Sequence, residues 1–287
     1  MKHAYCILAH NNFKQLQLLI DFIDDERNTI FIHVDKKSYS LYEEKGRVRS
    51  RYSKIIYVEP VDVRWGDISL SEAEVRLFSE VLKTNDTYER VHLMSGCDLP
   101  LHSQDYIHSY FKKYSNVEFI SFGKNPDLYK HRLNYYHYFV RYVKNNRFAN
   151  LARRVLLLIQ MPFINRLKRS PYKFMYGSEW CSITLDAVKT IVNDYYNNKK
   201  IFSLSTCSDE CYKQMILGNN KLFNCSPLGN LRYIKFSDGA ASPEILRLQD
   251  FDKITNSNCL FARKFDLNED YNIIKKIIQL ISDEVIR

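Results

Sequence analysis

Two short segments in the C-terminal third combine residue types that can do chemistry. Ser208-Asp209-Glu210 puts two carboxylates at an expected helix start. Ser208 can cap that helix and the helix dipole favours acids in its first turn, which accounts for Asp209. Glu210 is the better candidate for chemistry. A carboxylate at a pocket edge can take a proton from an attacking hydroxyl, and such general-base help contributes about 10²–10⁴-fold. The second segment, Leu260-Phe261-Ala262-Arg263-Lys264-Phe265-Asp266, sets two cations and an acid in an apolar, aromatic frame. In that frame Lys264 can be held rigidly against a phosphate, while Arg263 reads as structural. A departing diphosphate gathers negative charge, and without a metal fixed cations must neutralise it. Arg232 and Lys264 are the candidates, one with bidentate geometry and one a point charge. The single Asp-x-Asp, Asp250-Phe251-Asp252, follows an expected helix and not a strand end, so it reads as fortuitous. No His-x-x-x-His pair and no phosphate-loop glycine pattern occurs. The expectation is group transfer to a hydroxyl, with a diphosphate leaving group and no metal or other cofactor.

These residues need a scaffold, and the hydrophobic periodicity supplies one. Strand patterns at 2–8, 29–34, 54–58, 90–94 and 117–120 alternate with helix patterns at 13–22, 69–82 and 104–113. Ser69 with Glu72 reads as a capping box. Alternation of this kind predicts an α/β fold, a mostly parallel sheet with helices on both faces. Ligands bind beyond the C-terminal ends of such strands. Those ends carry His10, Asp35, Trp65-Gly66 and Ser95-Gly96-Cys97-Asp98. Further strands are expected at 179–184 and 231–236. Further helices are expected at 185–195, 209–217 and 268–286, with a short one at 243–247 begun by Ser242 and Pro243. The simplest organisation is a single domain over 1–287. Its parts are a nucleotide-binding half (1–125), an insert (126–178) and an acceptor and catalytic half (179–287).

The insert holds the charge. Residues 128–178 contain eleven Lys and Arg and no Asp or Glu; subtracting them from the chain's net +9 leaves −2 for the remainder. The segment is also rich in Tyr, with a helix expected at 147–161. That helix is either core packing with a basic outer side or a surface that touches membrane or acceptor. Fitting partners are an anionic membrane face, an anionic glycan or a phosphorylated lipid carrier. No nucleic-acid recognition motif is present. No run of 18 apolar residues occurs, and the N-terminus lacks a signal-peptide pattern. Seven scattered cysteines without a C-x-x-C pair fit reduced thiols in the cytoplasm.

The ordered set of motifs resembles the core-2/I-branching β-1,6-N-acetylglucosaminyltransferases and the peptide O-xylosyltransferases of glycosyltransferase family 14. The matching pieces are His-Val-Asp-Lys-Lys-Ser at 33–38, Trp-Gly at 65–66 and His-Leu-Met-Ser-Gly-Cys-Asp-Leu-Pro-Leu at 92–101. They continue with Gly-Ser-Glu-Trp at 177–180, Ser-Asp-Glu at 208–210, Leu-Arg-Tyr-Ile at 231–234, Ser-Pro at 242–243 and the 260–266 segment. The resemblance implies a GT-A-type, Rossmann-like fold and an inverting, metal-independent transfer from a UDP-sugar, GlcNAc or xylose, to a saccharide hydroxyl. By the same resemblance Glu210 is the base, Arg232 and Lys264 hold the donor diphosphate, and His10 and Asp35 bind uridine. Trp65, Asp98 and Trp180 then surround donor sugar and acceptor. The animal members' membrane anchor and disulfides have no counterpart in the motif pattern. That implies a bacterial-type cytoplasmic enzyme, peripheral at the inner membrane face, acting on a lipid-linked saccharide in surface polysaccharide synthesis.

Two rival readings remain. One is a non-catalytic glycan- or membrane-binding protein on a transferase fold. The other is a carboxylate glycoside hydrolase, with Asp98 or Asp209 as the second acid.

Overall fold

A computed structural model of the chain describes residues 2–44, 47–144, 146–240 and 242–286. In chain order its strands are β1 (Lys2–Ala9), β2 (Asn28–Val34), β3 (Lys54–Val58), β4 (Tyr88–Ser95), β5 (Leu99–Pro100), β6 (Val117–Ile120), β7 (Cys181–Ile183), β8 (Asn224–Cys225), β9 (Arg232–Ile234) and β10 (Phe261–Arg263). The helices are α1 (Phe13–Ile23), α2 (Tyr39–Glu44), α3 (Ser69–Lys83), α4 (Gln104–Lys113), α5 (His131–Asn134), α6 (Arg147–Gln160), α7 (Leu185–Asn197), α8 (Lys199–Phe202), α9 (Tyr212–Gly218), α10 (Phe251–Thr255) and α11 (Tyr271–Ile286).

Seven strands form one sheet in the order β3-β2-β1-β4-β7-β6-β8. The first four run parallel, and β7 is antiparallel to both β4 and β6. Side chains alternate faces along a strand, and β1 shows why it lies mid-sheet. Ala4, Cys6 and Leu8 enter one core, under α3, α7 and α9. Tyr5, Ile7 and Ala9 enter the other, with α1, α4 and α11. An unbroken apolar run is what a strand covered on both faces requires. The mostly parallel α/β architecture read from the sequence is therefore the observed one.

A second sheet, β5-β10-β9, carries the 260–266 segment. Arg232 fastens it to the first sheet. Its guanidinium donates to the carbonyls of Cys181 (2.8 Å) and Leu93 (3.3 Å) and to Ser182 Oγ (2.7 Å), and lies 4.8 Å from the Phe261 ring centroid. Burial alone pushes its pKa down to about 10.

Four local expectations are corrected. Ser69 is not a cap: its hydroxyl accepts from Arg64 N, and Asp67 accepts from Ser69 N. The 209–217 helix is split, because Ser208–Glu210 forms a 3₁₀ turn and Cys211 breaks from helical geometry before α9. Ser208 caps nothing there; its Oγ meets Ser71 Oγ of α3 at 2.6 Å. No helix forms at 243–247, where Leu246 N donates to Lys264 O and Glu244 N to Lys235 O. These long-range backbone bonds outcompete the Ser-Pro helix start.

Candidate active site

A cavity of about 570 Å³ opens at the C-terminal ends of β1, β2 and β4. His10 and Asp35 stand at the first two ends, and Ser95 at the third. Asp35 is partly engaged: its carboxylate accepts from Lys37 N (2.9 Å) and pairs with Lys37 Nζ (2.8 Å). His33 Nε2 accepts from Val61 N at 2.9 Å, which positions the loop leading to Trp65. The same residue is kept neutral by burial, its pKa falling to about 4. Trp65 is 59 % exposed on the cavity rim. Next to it Gly66 has φ +74°, a conformation that L side chains rarely adopt, and its carbonyl accepts from Cys207 N at 3.0 Å. That bond couples the Trp65 loop to the turn carrying Glu210.

The opposite wall comes from Glu179, Trp180 and Arg263. Arg263 lies 4.1 Å over the Trp180 ring and 3.4 Å from carboxylate oxygens of both Asp98 and Glu179. This corrects two expectations. Arg263 is a wall residue of the cavity as well as a packing one. Asp98 is fully buried behind it, so it positions Arg263 and is not itself among the lining residues. Gly177 starts this wall because a Cβ there would collide with the Ser121 carbonyl. Burial raises the Glu179 carboxyl well above the ordinary range, with the neighbouring Asp209 carboxylate adding to it.

The remaining predicted residues are placed as follows. Lys264 follows Arg263 directly and is not itself among the residues that line the cavity. Burial lowers the His10 pKa, and the cations Lys37, Lys264 and Lys144 act with it. Among the described residues Lys144 and Lys264 have no carboxylate within 4 Å, whereas Lys37, Arg64 and Arg141 share Asp62. Glu210 is partly exposed and ion-paired with Arg132, outside the residues that line the cavity. Its backbone carbonyl nevertheless accepts from Gly177 N at 2.8 Å, one end of the Gly177–Trp180 wall. Arg132 is steadied over Tyr129, 4.8 Å from the ring centroid.

Arg232 is the clearest departure. Its two terminal nitrogens donate to the carbonyls of Asn230, Leu93 and Cys181 and to Ser182 Oγ, and its Nε is buried without a partner. Arg232 is not among the residues that line the cavity, so the expected diphosphate role has no cavity-facing donor to rest on. We expect Arg232→Ala to cost about 2–4 kcal/mol by stranding those carbonyls. Urea denaturation would measure it; an unchanged midpoint together with weakened UDP binding would restore the ligand role.

Sequence reasoning missed Glu179, Arg64, Arg141 and Lys144 as wall residues. The acid-free insert was a signal for the last two. Asp250, from the Asp-x-Asp, pairs with Lys235 at 2.9 Å and accepts from Arg247 N. No group of three or more His, Cys, Asp or Glu among the described residues is arranged to hold a metal ion.

Cations, aromatics and carboxylates gathered at the strand ends of a mostly parallel sheet make an enzyme-type site. The chain belongs to the Core-2/I-Branching enzyme family, whose sequence profile matches residues 3–256, and is thus a glycosyltransferase. It is also 27% identical over 128 residues to a xylosyltransferase of Ciona intestinalis, covering 43% of this chain and 15% of that protein. Among solved structures, mouse xyloside xylosyltransferase 1 in its apo form aligns with TM-score 0.40 and 10% identity, over 91% of this chain and 97% of that one. The 4-diphosphocytidyl-2C-methyl-D-erythritol synthase of Anaerococcus prevotii aligns with TM-score 0.32 and 13% identity, over 69% and 77%. At those scores neither structural likeness adds to the assignment.

Proposed function

We propose that this glycosyltransferase is inverting and metal-independent and takes its sugar, GlcNAc or xylose, from a UDP-sugar. The acceptor is a saccharide hydroxyl, carried on a lipid in surface polysaccharide synthesis. The observation that supports this reading best is that Lys144 and Arg263 line the strand-end cavity with His10 and Asp35, with Lys264 next in the chain to Arg263. Uridine would sit against the β1 and β2 ends at His10 and Asp35. The diphosphate would face the unpaired lysines, and the sugar would lie between Trp65 and Trp180. The acceptor oxygen then attacks the anomeric carbon as the bond to UDP breaks, and the hydroxyl proton passes to Glu210. One displacement inverts the configuration.

Glu179 is a second candidate base, favoured by its place on the cavity wall. A Glu179 base would leave a mark in the pH profile. Burial raises the Glu179 pKa, so a Glu179 base is inactive until pH rises through that raised value. The acid limb of kcat/KM would then lie well above the ordinary carboxylate range.

The test of the proposal is a thermal-shift and turnover screen over UDP-sugars in EDTA. One donor should stabilise the protein through linkage and turn over without added metal. Strict dependence on added Mn²⁺ would remove the metal-free step, and hydrolysis of a model glycoside without nucleotide would favour a hydrolase.

A further inference from the structure

Helix α6 runs from a clean start, where Asn146 Oδ1 accepts from Phe148 N and Ala149 N. Its fourteen residues include none that is buried. The half-exposed side is pinned to the body: Gln160 bonds both Tyr136 N (2.7 Å) and Tyr136 O (2.9 Å). The other side presents Phe148, Leu151, Val155, Leu158 and Ile159, all exposed, with Phe148 at 84%. At 3.6 residues per turn these five fall within an arc of about 100°, and Arg147 and Arg154 border it. Phe163, in the turn just past the helix, is also apolar and 82% exposed. A contiguous apolar stripe on an ordered helix calls for an occupant.

We propose that this face lies in the plane of an anionic lipid surface. Charge decides between occupants. The segment 128–178 holds eleven cations and no acid. A second copy of the chain docked through this face would bring two acid-free basic segments together, and the like charge is unfavourable. An anionic headgroup layer neutralises them, while the apolar stripe enters the acyl boundary. The helix lies on the bilayer and does not cross it, since no helix among the described residues is long and apolar enough to span one. The cavity-lining Arg141 and Lys144 precede α6 by a few residues in the same insert, so docking brings the cavity close to the lipid surface. The docking stands independently of the proposed chemistry, although it would suit a lipid-linked acceptor.

The experiment is flotation of the full chain with vesicles of phosphatidylcholine alone and of phosphatidylcholine with phosphatidylglycerol, at low and high salt. The expected result is binding at least about tenfold tighter to the anionic vesicles, weakened by salt. The variant Phe148→Ser/Leu158→Ser/Phe163→Ser should lose that binding about tenfold while its thermal midpoint and UDP affinity hold. Those three side chains are exposed, so the fold does not depend on them. Equal binding to both vesicle types, or undiminished binding by the variant, would overturn the proposal. So would a wild-type dimer in sedimentation velocity that the variant dissolves without any vesicle binding.

Discussion

Glu210→Gln is expected to lower transfer by about 10²–10⁴-fold and to leave UDP affinity unchanged. The substitution is nearly isosteric and keeps a hydrogen-bond acceptor facing Arg132, so the turn should survive. Only the capacity to take a proton is lost. The turn is held from several sides: Ser208 Oγ meets Ser71 Oγ at 2.6 Å, Cys207 N donates to Gly66 O, and Gly177 N donates to Glu210 O. A loss confined to kcat therefore reports chemistry and not collapse. Glu179→Gln is the necessary partner experiment. It sits on the cavity wall against Arg263, so its loss should disturb Trp180 and Arg263 and shift KM. If Glu210→Gln turns over at the wild-type rate and Glu179→Gln does not, the base is Glu179.

Much of this scaffold is legible in the sequence because its central strands are buried on both faces. The unbroken apolar stretches at 4–9 and 30–32 mark strands buried on both faces, and the C-terminal ends of those strands mark the cavity at His10 and Asp35. What the sequence hides is orientation. Arg232 and Arg263 both stand on short strands of the small sheet, and residue type alone cannot say which one turns inward. The β9–β10 register sets Arg232 opposite Phe261, under which it meets the carbonyls of the large sheet. Arg263, two residues beyond Phe261, reaches the cavity and stacks on Trp180. The failed helix at 243–247 has the same origin. Leu246 N is claimed by the Lys264 carbonyl, a bond between residues far apart in sequence. Local propensity carries no record of such a partner.

Lys264→Ala should weaken UDP binding and reduce kcat by about 10²–10³-fold, with the larger loss in kcat. The inequality follows from where the charge develops. In the proposed complex the bound donor already carries a diphosphate, which would face Lys144 and Lys264. As the bond to the sugar breaks, a further negative charge grows on the leaving oxygen, and a cation placed there stabilises the transition state more than the ground state. Asp62, an acceptor for Lys37, Arg64 and Arg141, leaves those three cations less free to substitute. A second readout does not depend on activity. Lys264 depresses the His10 pKa, so its removal should raise that pKa toward the usual imidazole value, measurable by NMR titration. A variant with the His10 shift but full kcat would leave Lys264 near the nucleotide while denying it any part in leaving-group departure. An unmoved His10 would place Lys264 away from the cavity altogether.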